Sequence, residues 1–186
     1  PSVSTKHQMQ STSQPCSETS MRTLCSVLAA VTVLAVTSPV AAQSSPAGFQ
    51  DEISGQFEAS ARKVVSLAEA MPADKYSWAP MEGVATVVSV YMHIARYNYM
   101  YPQENLGIES PMGAAAYGRW EAEVTDKAEA VAILAASMDH VRGVIDGMSD
   151  ADLKAETRLY GRQVGEWAVL LQLVAHMNEH LGQSIA

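Results

Sequence analysis

From residue 48 onward, apolar residues recur at helical spacing in four long stretches, and none of them alternates apolar with polar side chains as a half-buried strand does. That restricts the chain to an all-α fold. The spacing predicts a first helix over 48–71, with Phe49, Ile53, Phe57, Val64, Leu67 and Met71 on its inner face. It ends ahead of Pro72, because proline disfavours helix in the residue before it. A turn through Trp78 to Gly83 leads to a second helix over 84–101, closed by Pro102. A third covers 124–147, capped by Thr125 or an earlier residue, with Val131, Leu134, Met138, Val141 and Ile145 as its stripe. The fourth runs over 164–186 and turns Trp167, Leu170, Leu171, Val174 and Leu181 inward. Between the second and third, 103–119 holds Gly107, Pro111, Gly113 and Gly118, which reads as a long connection with a short helix over 114–117. Connections of that length usually carry function. Residues 149–152 open one further helical turn. Four amphipathic helices make a four-helix bundle the economical architecture.

The first 42 residues read differently. Met21-Arg22, the apolar run Leu24 to Val36 and then Val40-Ala41-Ala42-Gln43 match a charged start, an apolar centre and a small-residue cleavage site. Residues 21–42 are therefore expected to be a signal peptide, with the mature bundle over 43–186 and the protein exported, periplasmic or secreted. The run is too short to span a bilayer, which takes about 20 residues, so no stable membrane insertion is expected after cleavage. Residues 1–20 are polar, rich in Ser, Thr and Gln, and resemble upstream sequence or a cloning remnant. Both cysteines, Cys16 and Cys25, precede the mature part, which leaves it without a disulfide, a thiolate ligand or a cysteine nucleophile.

From Gln43 onward there are 10 Lys and Arg against 19 Asp and Glu, a balance of −9. Such a surface repels phosphate backbones and anionic lipid, which argues against nucleic acid as a partner. A small-molecule substrate, and a bundle that pairs with itself as a homodimer, remain as partners.

Chemistry concentrates in the fourth helix. His176 and His180 stand four residues apart, so their β-carbons are about 6 Å apart on one face and both rings can reach one divalent cation. A third ligand has two sources among the later residues. His93 lies in the apolar run Val87 to Ala95, which a folded protein would bury, whereas His140 sits beside Asp139 and Arg142 on what reads as a wet face. His93 is the better choice. Three imidazoles would leave a coordination position open, and nitrogen donors suit Zn, Ni, Fe or Cu. Without a metal, the same residues read as two surface histidines and one core histidine. The segment His176-Met177-Asn178-Glu179-His180 also matches the inverted zinc-protease pattern H-x-x-E-H, but that chemistry needs a further ligand well downstream and a mixed α/β scaffold. Glu179 points about 100° away from its neighbour on a helix and reads as solvated.

Three pieces in order carry a resemblance: Ala73-Asp74-Lys75-Tyr76-Ser77-Trp78-Ala79-Pro80, Met92-His93-Ile94-Ala95, and His176 through Gln183. From about Phe49 to the end, the chain resembles the DinB-like superfamily of bacterial four-helix proteins. The resemblance implies a divalent metal on one histidine of the second helix and two of the fourth, here His93, His176 and His180. Some relatives are thiol-dependent transferases or isomerases and others metal-dependent hydrolases, so it implies the site more firmly than the reaction. The metal would act as a Lewis acid on a substrate oxygen or activate a water. Members usually continue past the Gly-Gln step with more helix, so a stop at Ala186 would take away part of one wall. Export would separate this protein from the cytosolic thiols that the transferases use. Gln183, Asn98 and Glu166 are named for supporting or proton-handling roles, and one of Tyr91, Tyr97, Tyr99 and Tyr101 for the pocket wall. The alternative is a non-enzymatic binding or stress-response module with a structural metal or none.

Overall fold

A computed structural model describes residues 48–186. The expected upstream extension, the expected signal peptide and the first residues of the expected mature part lie outside the described residues. Helix α1 spans Phe49–Ala70; the Gly48 N–H donates to Asp51 Oδ2 (3.4 Å), and Asp51 with Glu52 places negative charge in the first turn, where the helix dipole favours it. At the other end, Lys127 Nζ donates to the carbonyls of Glu69 (2.7 Å) and Met71 (2.8 Å), which no helical N–H reaches. A short 3₁₀ turn, Ala73–Lys75, follows Pro72, and the Tyr76 hydroxyl ties it back to the Ala68 carbonyl (2.6 Å).

Helix α2 spans Val87–Leu106, later at both ends than its periodicity predicts. Its start is set by Thr86, whose Oγ1 accepts from the Ser89 N–H (3.2 Å) and caps the first turn. Pro102 does not close it. The helix continues to Gly107, whose left-handed φ of 69° ends it, because Tyr101 and Pro102 are buried and the last turn is pinned from outside. Asn105 Nδ2 donates to the Arg158 carbonyl (2.6 Å), and Thr157 Oγ1 donates to the Asn105 carbonyl.

Those partners belong to a hairpin that the periodicity does not predict. Strand β1, Glu156–Leu159, pairs antiparallel with β2, Arg162–Gly165, in the register Glu156 to Gly165 and Leu159 to Arg162. Its two-residue turn has positive φ at Tyr160 (51°) and Gly161 (75°), the primed geometry whose twist suits a tight hairpin. Four-residue strands with a single buried side chain between them, that of Leu159, leave almost no alternation to detect.

Three short helices, α3 (Ala114–Tyr117), α4 (Trp120–Glu123) and α6 (Asp150–Lys154), flank α5 (Lys127–Gly147); the last helix, α7, spans Trp167–Ile185. Asp126 caps α5 by accepting from the Glu129 N–H (2.9 Å), in place of Thr125. Helix α7 starts three residues later than predicted because 162–165 is committed to the hairpin. The described residues are thus mostly helical. Each long helix packs on two others, α1 on α5 and α7, α2 on α5 and α7, which makes α2 and α7 neighbours. Among the described residues no helix is long and apolar enough to cross a membrane.

The core runs through Phe57, Val64, Met92, Ile94, Leu134, Met138, Leu170 and Leu173. Three residues expected on inner faces are not there: Phe49, Trp167 and Leu171 are 45%, 42% and 48% exposed. On α7 the buried stripe is Val169, Leu170, Leu173, His176, Met177 and Leu181, spaced by three or four, and Leu171 falls off it by one residue. Phe49 and Trp167 instead meet edge to face at the helix ends (6.0 Å between centroids).

Candidate metal centre

Packing of α2 on α7 brings the rings of His93, His176 and His180 together. Their centroids lie 4.5 Å (His176 to His180), 4.7 Å (His93 to His180) and 5.1 Å (His93 to His176) apart. Each offers one ring nitrogen, and these nitrogens lie within 4.8 Å of one another. His140 is not among them. The expected burial is inverted: His176 is the core residue at 7% exposure, while the His93 side chain is 28% exposed. His93 sits at the rim because its face of α2 looks toward the last turns of α7.

The donor chemistry fits a cation. His176 Nε2 and His180 Nε2 face each other at 3.2 Å, close to the ~3.3 Å that separates two nitrogens around a tetrahedral ion bonded at about 2.0–2.1 Å. Burial first, and then the adjacent His180 and His93, push the His176 pKa down to about 3, so its ring is neutral and has a lone pair to give. His180 Nδ1 pairs with Gln183 Oε1 (2.8 Å), one turn further along α7. An acceptor on Nδ1 keeps the proton there and frees Nε2, as partners of metal-bound histidines commonly do.

Tyr97 packs on two of these rings, 4.5 Å from His93 and 4.7 Å from His176. Tyr101 stands edge-on to His176 (6.1 Å) and its hydroxyl bonds that of Tyr160 in the hairpin turn; burial pushes its pKa up, and the bond to Tyr160 adds to this. The other tyrosines lie elsewhere. Tyr91 packs on Tyr76 (5.9 Å), and Tyr99 stacks on His140 (4.7 Å).

Of the supporting residues expected from sequence, Gln183 reaches the cluster. Asn98 is buried and donates to Ser137 Oγ (3.1 Å), so it joins α2 to α5. Glu166 precedes α7, about 15 Å along the axis from His176. Its pKa is raised by burial and by Asp152. Glu179 is exposed, and the only sheet among the described residues is the two-stranded hairpin, so the mixed α/β scaffold that the protease pattern needs is not seen among them. Sequence reading missed Glu121 on α4, whose Oε1 lies 3.1 Å from His93 Nδ1 and 3.1 Å from Arg96 Nη1. No pattern marks it.

His140 does not lie on a wet face. Its ring is half-buried under Tyr99, and its Nε2 is buried with no partner among the described residues. Burial lowers its pKa, so below pH 6.5 the unfolded chain takes up a proton that the folded protein resists. Its contribution to stability is full above pH 6.5 and is lost as pH falls toward the folded value. His140→Phe is expected to leave metal affinity unchanged and to reduce the loss of stability between pH 7.5 and pH 5, read from urea unfolding of the metal-free protein. An acid limb as steep as that of wild type would contradict the burial argument.

A model of the DinB superfamily matches residues 56–184. The chain belongs to the DinB superfamily. Among solved structures, a DinB-like protein of Bacillus cereus superposes with a TM-score of 0.62 at 16% identity, over 74% of this chain and 91% of that one. A DinB-like protein of Bacillus subtilis gives a TM-score of 0.55 at 18% identity, covering 72% and 87%. A conserved protein of Enterococcus faecalis gives 0.57 at 14%, covering 73% and 92%. At these identities the likeness is one of fold. No curated protein matches the sequence significantly.

Proposed function

We propose that His93, His176 and His180 hold one divalent metal ion, of the Zn, Ni or Fe kind, in a four-helix DinB-type bundle acting as a hydrolase or transferase on a small molecule. The observation that carries this reading is the convergence of three imidazole nitrogens from two separate helices within 4.8 Å, with the most buried of them held neutral. Such an ion supplies Lewis-acid chemistry, polarising a substrate oxygen or activating water. The chain's own groups do the rest. His176 is a donor that needs no deprotonation, Gln183 keeps the His180 proton on Nδ1, and Tyr97 shields the inner side of His93 and His176 from water. Gln183 also lines a groove of about 630 Å³, with Met71, Trp78, Val87, Val90 and Ile185; none of the three histidines lines it, and Gln183, which pairs with His180, is what links groove and cluster. Its volume suits a small, largely apolar ligand, for which sites of about 300–1,000 Å³ are usual.

Protein purified without a nickel column is expected to carry one metal equivalent per chain by elemental analysis. Chelation should then lower its Tm by about 10 °C, since saturation at a hundred times Kd contributes about 2.7 kcal/mol. Absence of metal together with an unmoved Tm would leave a helical module without a metal, and no such enzyme.

A further inference from the structure

We infer that Glu121 is the positioning carboxylate of this centre, holding His93 from behind; the inference rests on the metal reading of the three histidines. Three observations lead to it. First, Glu121 Oε1 is 3.1 Å from His93 Nδ1, while the group of nitrogens that converge on one point consists of His93, His176 and His180 alone among the described residues. Glu121 therefore stands behind a ligand. Its engagement of Nδ1 leaves Nε2 of His93 as the free donor, as Gln183 does for His180. Two of the three rings thus have an acceptor on their outer nitrogen, one neutral and one anionic. An anionic acceptor makes imidazole a better donor to a cation.

Second, the carboxylate is itself held. The same Oε1 accepts from Arg96 Nη1 at 3.1 Å, and Arg96 lies three residues after His93, one turn along α2. Arg96 and His93 grip one oxygen, which fixes where the carboxylate sits relative to the ring. Third, α4 is anchored independently of that ion pair. Trp120 packs edge-on to Tyr99 (5.6 Å) and against Tyr117 (6.4 Å), and Val124 closes the helix from the core. Helix α4 packs along α2, so the long connection between α2 and α5 delivers a carboxylate to the exposed side of the site. His93 gains from such support, because it is less buried than His176 and its ring could otherwise rotate into solvent.

The test compares Zn²⁺ and Co²⁺ affinity, measured by competition with a chelating dye, in wild type and three variants: Glu121→Ala, Glu121→Gln and Arg96→Gln. Glu121→Ala should weaken both ions by 10- to 100-fold, the range seen when a partner behind a ligand is removed. Glu121→Gln keeps an acceptor without its charge and should fall between wild type and Glu121→Ala. Arg96→Gln removes one of the two grips on Oε1 but leaves Glu121 on His93, so its loss of affinity should be clearly smaller than that of Glu121→Ala. The visible band of the Co²⁺ form should shift in both Glu121 variants, and less in Arg96→Gln. Equal losses in Glu121→Ala and Arg96→Gln, or an unmoved Co²⁺ band, would overturn the assignment by making the ion pair a mere anchor for α4. Wild-type affinity in Glu121→Ala would overturn it too, with the three-histidine site left standing. A wild-type protein that binds neither ion would overturn both readings, and the two failures are thereby distinguished.

Discussion

His93→Ala is expected to lower divalent-metal affinity by two to three decades while leaving the metal-free fold close to wild type. Apparent binding energies of four-ligand structural Zn²⁺ sites are about 10–16 kcal/mol, roughly 2.5–4 kcal/mol per ligand. The loss should reach that full share, because the pair left behind comes from a single helix and α2 and α7 are no longer bridged. Folding should survive, since the His93 side chain is 28% exposed and its removal opens no closed cavity. Isothermal titration with Zn²⁺ and a thermal melt of the apoprotein would check both halves. The control is His140→Ala, which should bind metal as wild type does. Full stoichiometry and affinity in His93→Ala would remove this residue from the site.

Phe57→Ala should cost about 3–5 kcal/mol, because an aromatic side chain at 1% exposure is replaced by a void that close-packed neighbours only partly fill. For a domain of this size that is a Tm lower by about 10–20 °C. Phe49→Ala on the same helix should cost far less, its ring being 45% exposed and in contact with a Trp167 that is itself 42% exposed. A melt of the two variants side by side tests the division. The consequence extends to the site. Helix α1 carries no ligand, but it packs along α7, and Asn178 Nδ2 donates to Ser60 Oγ (2.8 Å) between the two histidines of the pair. Loosening α1 should therefore weaken metal binding without touching a ligand.

The two phenylalanines show what periodicity conveys. Both fit the inner face of an amphipathic helix, yet only tertiary packing separates the one in the core from the one at the rim. Leu171 makes the same point on α7, where the buried stripe passes one residue to its side. Boundaries behave similarly. Pro72 ends α1 by its own covalent chemistry, whereas Pro102 fails to end α2 because the hairpin holds the following turn in place. The hairpin itself escaped sequence reading for a physical reason. Its strands are four residues long with one buried side chain between them, and its turn is Tyr-Gly where Asn-Gly is the common signal.

By itself the sequence determined whatever depends on local geometry. Helical repeat sets His176 over His180, so two donors could be read from spacing alone; Gln183 is one of three candidates for support, and the structure sets it on His180. Only the tertiary structure decided that α2 and α7 are neighbours in a register that brings His93 to that pair, which histidine is buried, and that α4 folds back to set Glu121 against His93. The reason is that contacts across helices depend on the packing of many distant side chains at once, and no short stretch of residues encodes them.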